Sequence, residues 1–432
     1  MSTTTAICHT PLAAELAAAR ARTDFLFRIL RPEARYARPI GERHRMIFYV
    51  GHLEAFDWNM VCRRGLGLAS FHPEFDKLFE FGIDPAEGNL PTDRESDWPS
   101  GDEVRSYNRR VRAELDAAIE DAPERIVRVA IEHRWMHAET LAYLLHNLPY
   151  QHKTSPGEDG QEGNRPRGIG DAPSGGRIGS TRAQVECPPG SREPAMIEIP
   201  AGEATLGLRP EEFGWDNEFR QHVARVPAFA IGKYKVTNAD YLRFVKAGAK
   251  PPFFWVEQDG AWFYRGMFQL FPLPGDWPVY VTQEEAEAYA RWRGAALPTE
   301  AEFHRAAYGA PEGAERPYPW GHDAPSADRG NFDFAHWDPL AVTANPAGDS
   351  AWGVSQLVGN GWEWTSTPFG PFPGFRTFDF YPGYSAAFFD GDHFVMKGGS
   401  AQTARCLLRR SFRNWFRRRY PYAYGTFRLV QR

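Results

Sequence analysis

From Pro11 to Leu148 apolar residues recur at the three- and four-residue spacing of helices with one buried face. "PLAAELAAARARTDFLFRIL" begins the series and "ERHRMIFYVGHLEAFDWNMVCRRGL" continues it. A turn-rich stretch, "FGIDPAEGNLPTDRESDWPSGDE", breaks the pattern with Gly, Pro and Asp. "EVRSYNRRVRAELDAAIED" and "PERIVRVAIEHRWMHAETLAYLLHNL" resume it, the second opening on Pro123, a residue tolerated in a first helical turn. Four such helices predict an antiparallel bundle over residues 1–150. Residues 151–195 are rich in Gly, Pro, Ser and charge and poor in large apolar side chains, the texture of a flexible linker. Beyond them, over 196–432, short apolar runs are broken by Gly, Pro, Asn and Asp. Two amphipathic helices are expected there, "NADYLRFVKAG" and "TQEEAEAYARWRG". The fold class is therefore α+β in two domains, without a visible repeat.

Composition narrows the function. At 432 residues the chain exceeds a single core. Its net charge of −5 gives no general reason to expect a nucleic-acid partner. No run approaches the apolar length of a membrane span. Cys8, Cys62, Cys187 and Cys406 are scattered and form no CxxC pair, which argues against a thiolate zinc site. The opening residues do not read as a secretory signal, so a reducing cytoplasm is the expected location. Aromatic residues, 14% of the chain, crowd into its second half.

The candidate chemistry lies in "EHRWMHAETLAYLLHNL". His133 and His137 are four apart, so they share a helix face and lie close enough to hold one ion. Glu139, about 200° further round than His137, points elsewhere and suits a supporting role. Two such histidines also occur in ordinary packed helices. His52, within the apolar "FYVGHLEAFDWN", changes the balance. Bundles build metal sites from facing helices, and one histidine from the second helix with two from the fourth would give a three-nitrogen face suited to Fe(II) or Zn(II).

The second half carries "IPAGEATLG", "VTNADYLRF", "GAALPTEAEFHRAAYG", "YPWG", "VGNGWEWTST", "MKGGS" and "GTFRLV" in order. This series resembles the formylglycine-generating-enzyme domain, a C-type-lectin-like fold. Only Cys406 stands where those enzymes use a cysteine pair near the C-terminus, so their copper chemistry is not expected. A DinB-like four-helix bundle with His-x-x-x-His-x-Glu joined to such a domain resembles the ergothioneine sulfoxide synthase family. Those enzymes use non-haem Fe(II) and O2 to form a C–S bond at C2 of the hercynine imidazole. The resemblance implies His52, His133 and His137 as iron ligands. It places Asn414 and Trp415 of "FRNW" at hercynine, where an aromatic face suits a trimethylammonium group. It also offers Tyr381 or Tyr384 as proton donor, Tyr381 being preferred, and Arg94 for a donor carboxylate.

Two departures bear on the donor. Phe416 follows "FRNW" where users of γ-glutamylcysteine often carry Asp, and Met136 stands where some relatives have a hercynine-binding Gln. Both remove polar contacts. Together with the wording around His52 they favour the selenoneine synthase branch, whose donor is a selenosugar. A sulfoxide synthase using γ-glutamylcysteine or cysteine is the alternative. A non-catalytic ligand-binding protein, and a zinc hydrolase or thiol transferase working without O2, are the readings from other classes.

Overall fold

The computed structural model describes residues 11–80, 90–156 and 195–432, which divide into two compact units, one within residues 1–159 and one within 160–432. Most of the stretch expected to be a linker lies outside the described residues, as do Cys8 and Cys187.

The first unit is helical. α1 (Leu12–Ile29) follows Pro11 and buries Leu16, Ala19, Leu26 and Ile29 along one stripe. α2 (Met46–Asp57) is apolar nearly all round, as a central helix should be, and passes without a break into a π-helical stretch, Trp58–Gly65. A short α3 (Pro73–Leu78) was not expected from the sequence. α4 (Gly101–Ala118) starts on a reciprocal cap between Ser100 and Glu103. α5 (Glu124–Asn147) begins directly after Pro123.

Buried charge ties these helices together. Arg134 of α5 donates to Asp57 of α2 at 2.6 and 3.1 Å, to Glu54 at 3.1 Å and to the Leu53 carbonyl at 3.0 Å. Burial works against its charge, but Asp57 and Glu54 outweigh burial and raise its pKa. Glu54 also accepts from Arg112 of α4 at 2.6 Å. Burial pushes Glu54 up, yet Arg134, Arg112 and Arg20 hold it at about 2. A helix slipping by one residue would strand these groups, so the network fixes the register between α2 and α5.

The second unit holds its strands in small sheets. β1 (Met196–Ile199), β2 (Gly202–Leu206), β3 (His222–Val226) and β4 (Phe229–Gly232) come first. α6 (Asn238–Lys246) precedes β5 (Trp255–Gln258), β6 (Ala261–Arg265) and β7 (Leu270–Pro272). α7 (Gln283–Trp292) and α8 (Glu300–Tyr308) follow. β8 (Trp362–Pro368), β9 (His393–Lys397), β10 (Asn414–Arg417), β11 (Gly425–Thr426) and β12 (Val430–Gln431) complete it. α8 corrects the expectation of two helices. Its start signal, Thr299 capping and capped by Glu302, is written in "PTEAE". Among the described residues the sheets run β1-β4-β12, β10-β9-β8-β11, β2-β3 and β5-β6-β7, with β8 and β11 parallel and the other pairs antiparallel.

α8 packs Phe303, Ala306 and Ala307 into a core with Phe229, Ile231, Leu357 and Val430. Beneath it Glu363 of β8 accepts from Arg428 at 2.6 and 2.7 Å and from Lys235 at 2.8 Å. Arg428 also donates to the carbonyls of Gly232, Lys233 and Ser355. With few long ladders, this domain satisfies its loop carbonyls through buried side chains.

Candidate metal centre

In α5 the four-residue spacing places His133 and His137 with ring centroids 4.4 Å apart. α2 brings His52 to 5.2 Å from the first and 4.7 Å from the second. One nitrogen from each residue falls within a group no more than 4.8 Å across. His52 Nδ1 lies 2.7 Å from the carbonyl of Phe79. A carbonyl only accepts, so that nitrogen carries the proton and Nε2 presents a lone pair. This lone pair faces His137 Nε2 at 3.2 Å. Two imidazole nitrogens on one metal at about 2.1 Å would stand roughly 3–3.4 Å apart.

The surroundings keep the three rings neutral. Burial pushes His52 down to about 4. Burial, then the neighbouring imidazoles, lowers His133 well below its ordinary value, and burial followed by His52 does the same for His137. Phe48 stacks on His52 and Phe56 on His133. Gly51 lets the Phe79 ring lie close beside α2, since a Cβ there would meet that ring at 2.6 Å. The outer hydrogen bond usual for a metal-bound histidine is present at His52. Among the described residues, Nδ1 of His133 and Nδ1 of His137 are buried without a partner. Three neutral imidazoles gathered in an apolar wall, with one outer bond between them, form a poor hydrogen-bonded core. They form a good donor set for a borderline metal such as Fe(II) or Zn(II).

Other predicted residues are distributed more widely. Met136 lies one position before His137, half-buried, and Glu139 is buried in the same helix. Arg94 is exposed and begins a short turn closed by its N–H to Asp97 at 2.7 Å. In the second unit Asn414, Trp415 and Phe416 share β10, but strand alternation sends Trp415 to the face opposite the other two. Trp415 stacks on Phe369 at 4.2 Å and meets Tyr384 edge-on at 5.4 Å. Tyr381 lies 5.6 Å from Tyr384. Phe416 stacks on Tyr420 at 5.0 Å, away from that cluster. The Asn414 side chain accepts from the Trp415 N–H at 2.9 Å.

Sequence reasoning missed the turn Trp215–Glu218 that organises this cluster. Trp215 stacks on Tyr384 at 4.0 Å, and Asp216 accepts from Ser385 at 2.6 Å. Glu218 accepts from Arg409 at 2.8 Å and from Ser411 at 2.7 Å. The turn thus ties the tyrosine loop to the segment leading into β10. Burial raises Asp216 to about 6, against the bonds from Ser385 and Asn217. The run "WDNE" was the available signal: three polar residues in a row that fold into the interior.

The two halves of the chain match two family models. Residues 181–432 match the sulfatase-modifying factor enzyme 1-like domain, and residues 15–145 match the DinB superfamily. The chain is 36% identical to hercynine oxygenase of Mycolicibacterium smegmatis over 79% of its length and 80% of the relative's. It is 28% identical to ergothioneine biosynthesis protein 1 of Schizosaccharomyces pombe over 94% of its length, but spans only 54% of that protein. Formylglycine-generating enzyme of Mycobacterium tuberculosis is 28% identical over 41% of the chain. With a relative named as an oxygenase matched over about four fifths of both chains, the chain is an oxygenase. The chain belongs to the hercynine oxygenase family. No helix among the described residues is long and apolar enough to cross a membrane.

Proposed function

We propose that this oxygenase uses Fe(II), held by His52, His133 and His137, to join a chalcogen to C2 of the hercynine imidazole at the expense of O2. The observation that carries the reading is the convergence of three neutral imidazoles, two buried and His137 half-buried. When bound, iron would supply O2 activation and acidify a coordinated thiol or selenol.

The chain's own residues do the rest. His52 is held in one tautomer by the Phe79 carbonyl, so its Nε2 is ready to bind without rearrangement. The rings of Phe48 and Phe56 stack on His52 and His133 and cover those two imidazoles. Trp415 offers an aromatic face to the trimethylammonium group, and Asn414, on the other face of β10, is the further proposed contact for hercynine. Tyr381, or its neighbour Tyr384, is the proposed proton donor. Met136 and Arg94 are the remaining proposed substrate contacts, at hercynine and at the donor.

For the donor we favour a selenosugar, making the protein a selenoneine synthase working in the cytoplasm. Phe416 packs on Tyr420 and cannot pair with the ammonium group of γ-glutamylcysteine. A sulfur donor, γ-glutamylcysteine or cysteine, is the second reading, favoured by relatives named for ergothioneine biosynthesis. Anaerobically purified protein would be given Fe(II), hercynine, O2 and each donor in turn, with products read by mass spectrometry. A hercynine–selenosugar adduct is expected. Turnover with γ-glutamylcysteine alone would refute the selenium assignment, and no adduct with any donor would refute the reaction. Unchanged turnover with Zn in place of Fe and without O2 would favour a hydrolase or transferase.

A further inference from the structure

The first unit contains a groove of about 440 Å³ along α1, α2 and α4, lined by Arg28, Arg31, Arg35, Arg105, Arg109 and Arg112. Two carboxylates share it, Asp24 and Glu54. Both are taken by Arg112, which grips Asp24 at 2.7 and 2.8 Å and Glu54 at 2.6 and 3.0 Å. Arg105 pairs with the exposed Asp102. Among the described residues Arg28, Arg35 and Arg109 form no ion pair. Arg109 donates to the Ser106 hydroxyl at 2.9 Å, and Arg28 lies 5.7 Å from the Phe25 ring. The groove therefore carries a clear positive excess.

Its geometry is more telling than its charge. The guanidinium groups of Arg35 and Arg105 converge on the bare backbone of Gly101. A Cβ there would meet Arg35 Nη1 at 2.2 Å and Arg105 Nη1 at 3.2 Å. Like charges converge at a cost unless an anion lies between them. Planar guanidinium forks match phosphate oxygens well. Phe27, Leu30 and Val50, each partly exposed, add an apolar wall. Asn108, also lining the groove, donates to the Val50 carbonyl at 2.8 Å, while its Oδ1 is buried without a partner. That oxygen would accept from a ligand N–H or O–H.

We propose that this groove binds an organic phosphate of nucleoside diphosphate size. The phosphates would sit between Arg35, Arg105 and Arg109, the organic moiety would lie on the apolar wall, and a donor group would reach Asn108. The volume lies within the range of small-ligand sites. Binding in this groove is independent of hercynine turnover.

Full-length iron-loaded protein would be titrated calorimetrically with ADP, pyrophosphate and adenosine at low and high salt. ADP should bind saturably, pyrophosphate more weakly and adenosine not at all, with affinity falling as salt rises. The R35Q/R109Q double variant should lose at least about tenfold in ADP affinity with an unchanged melting temperature. Should that variant melt early, R105Q/R109Q, at two exposed positions, takes its place with the same expectation. Absence of saturable binding by ADP and pyrophosphate, or affinity undiminished in the folded variant, would overturn the site. Pyrophosphate binding as tightly as ADP would overturn the organic part of the assignment.

Discussion

The histidine centre of the bundle and the tyrosine cluster of the second unit are built by opposite means. The first sits on two regular helices, where a period of 3.6 residues delivers His133 and His137 to one face and a charge network sets the partner helix. The second sits on loops and an edge strand, held by contacts between residues far apart in sequence, such as Asp216 with Ser385 and Glu218 with Ser411. A site that must place several nitrogens around one point gains from rigid elements. A site that must admit and release substrates can use loops, provided something buried anchors them.

Breaking each region separately tests that contrast, and the largest effect on the fold should come from Arg134. R134M leaves Asp57 and Glu54 buried without their main counter-charge, at about 3–5 kcal/mol. Thermal melting should show the loss, and iron should go with it.

G51A is expected to cost about 1–3 kcal/mol by forcing the Phe79 ring aside. Because the Phe79 carbonyl holds His52, iron affinity should fall too, whereas a purely structural glycine would change melting alone.

In the second unit, D216N should leave iron content untouched and change the pH dependence of stability. The folded state holds the Asp216 proton up to about pH 6, compared with an ordinary value of 3.8. Its contribution is therefore greatest below the ordinary value, declines as pH rises through about 6, and is flat above. Urea melts across that window should show a shallower decline in the variant.

The smallest change to the fold should come from Y381F, within about 0.5 kcal/mol and with full iron content. If Tyr381 delivers the proton, adduct formation should slow by roughly 10²–10⁴-fold. Loss of rate in Y384F instead would move the role to Tyr384.

What the sequence made legible follows the same division. The trio of histidines could be read because helical spacing is local and because His52 lies in a segment apolar enough to be central. The DinB and sulfatase-modifying-factor halves could be read from ordered motifs. The support of the centre could not: nothing near His52 announces that the Phe79 carbonyl, 27 residues on, will fix its tautomer. Nor could the turn at Trp215 be placed, since its partners lie 169 to 193 residues away. Asn414, Trp415 and Phe416 read as one patch in sequence, but the pleat divides them between two faces. α8 carries its capping signal in Thr299 and Glu302, yet at 9 residues it is too short for apolar spacing to announce it.

If His52, His133 and His137 together hold one iron, none of the three can be spared. Metal analysis of anaerobically loaded and desalted protein, wild type beside H52A, H133A and H137A, tests it most directly. About one iron per chain is expected in the wild type and loss of bound iron in each variant, with melting showing that the bundle remains folded. Full iron occupancy in folded H137A would contradict it.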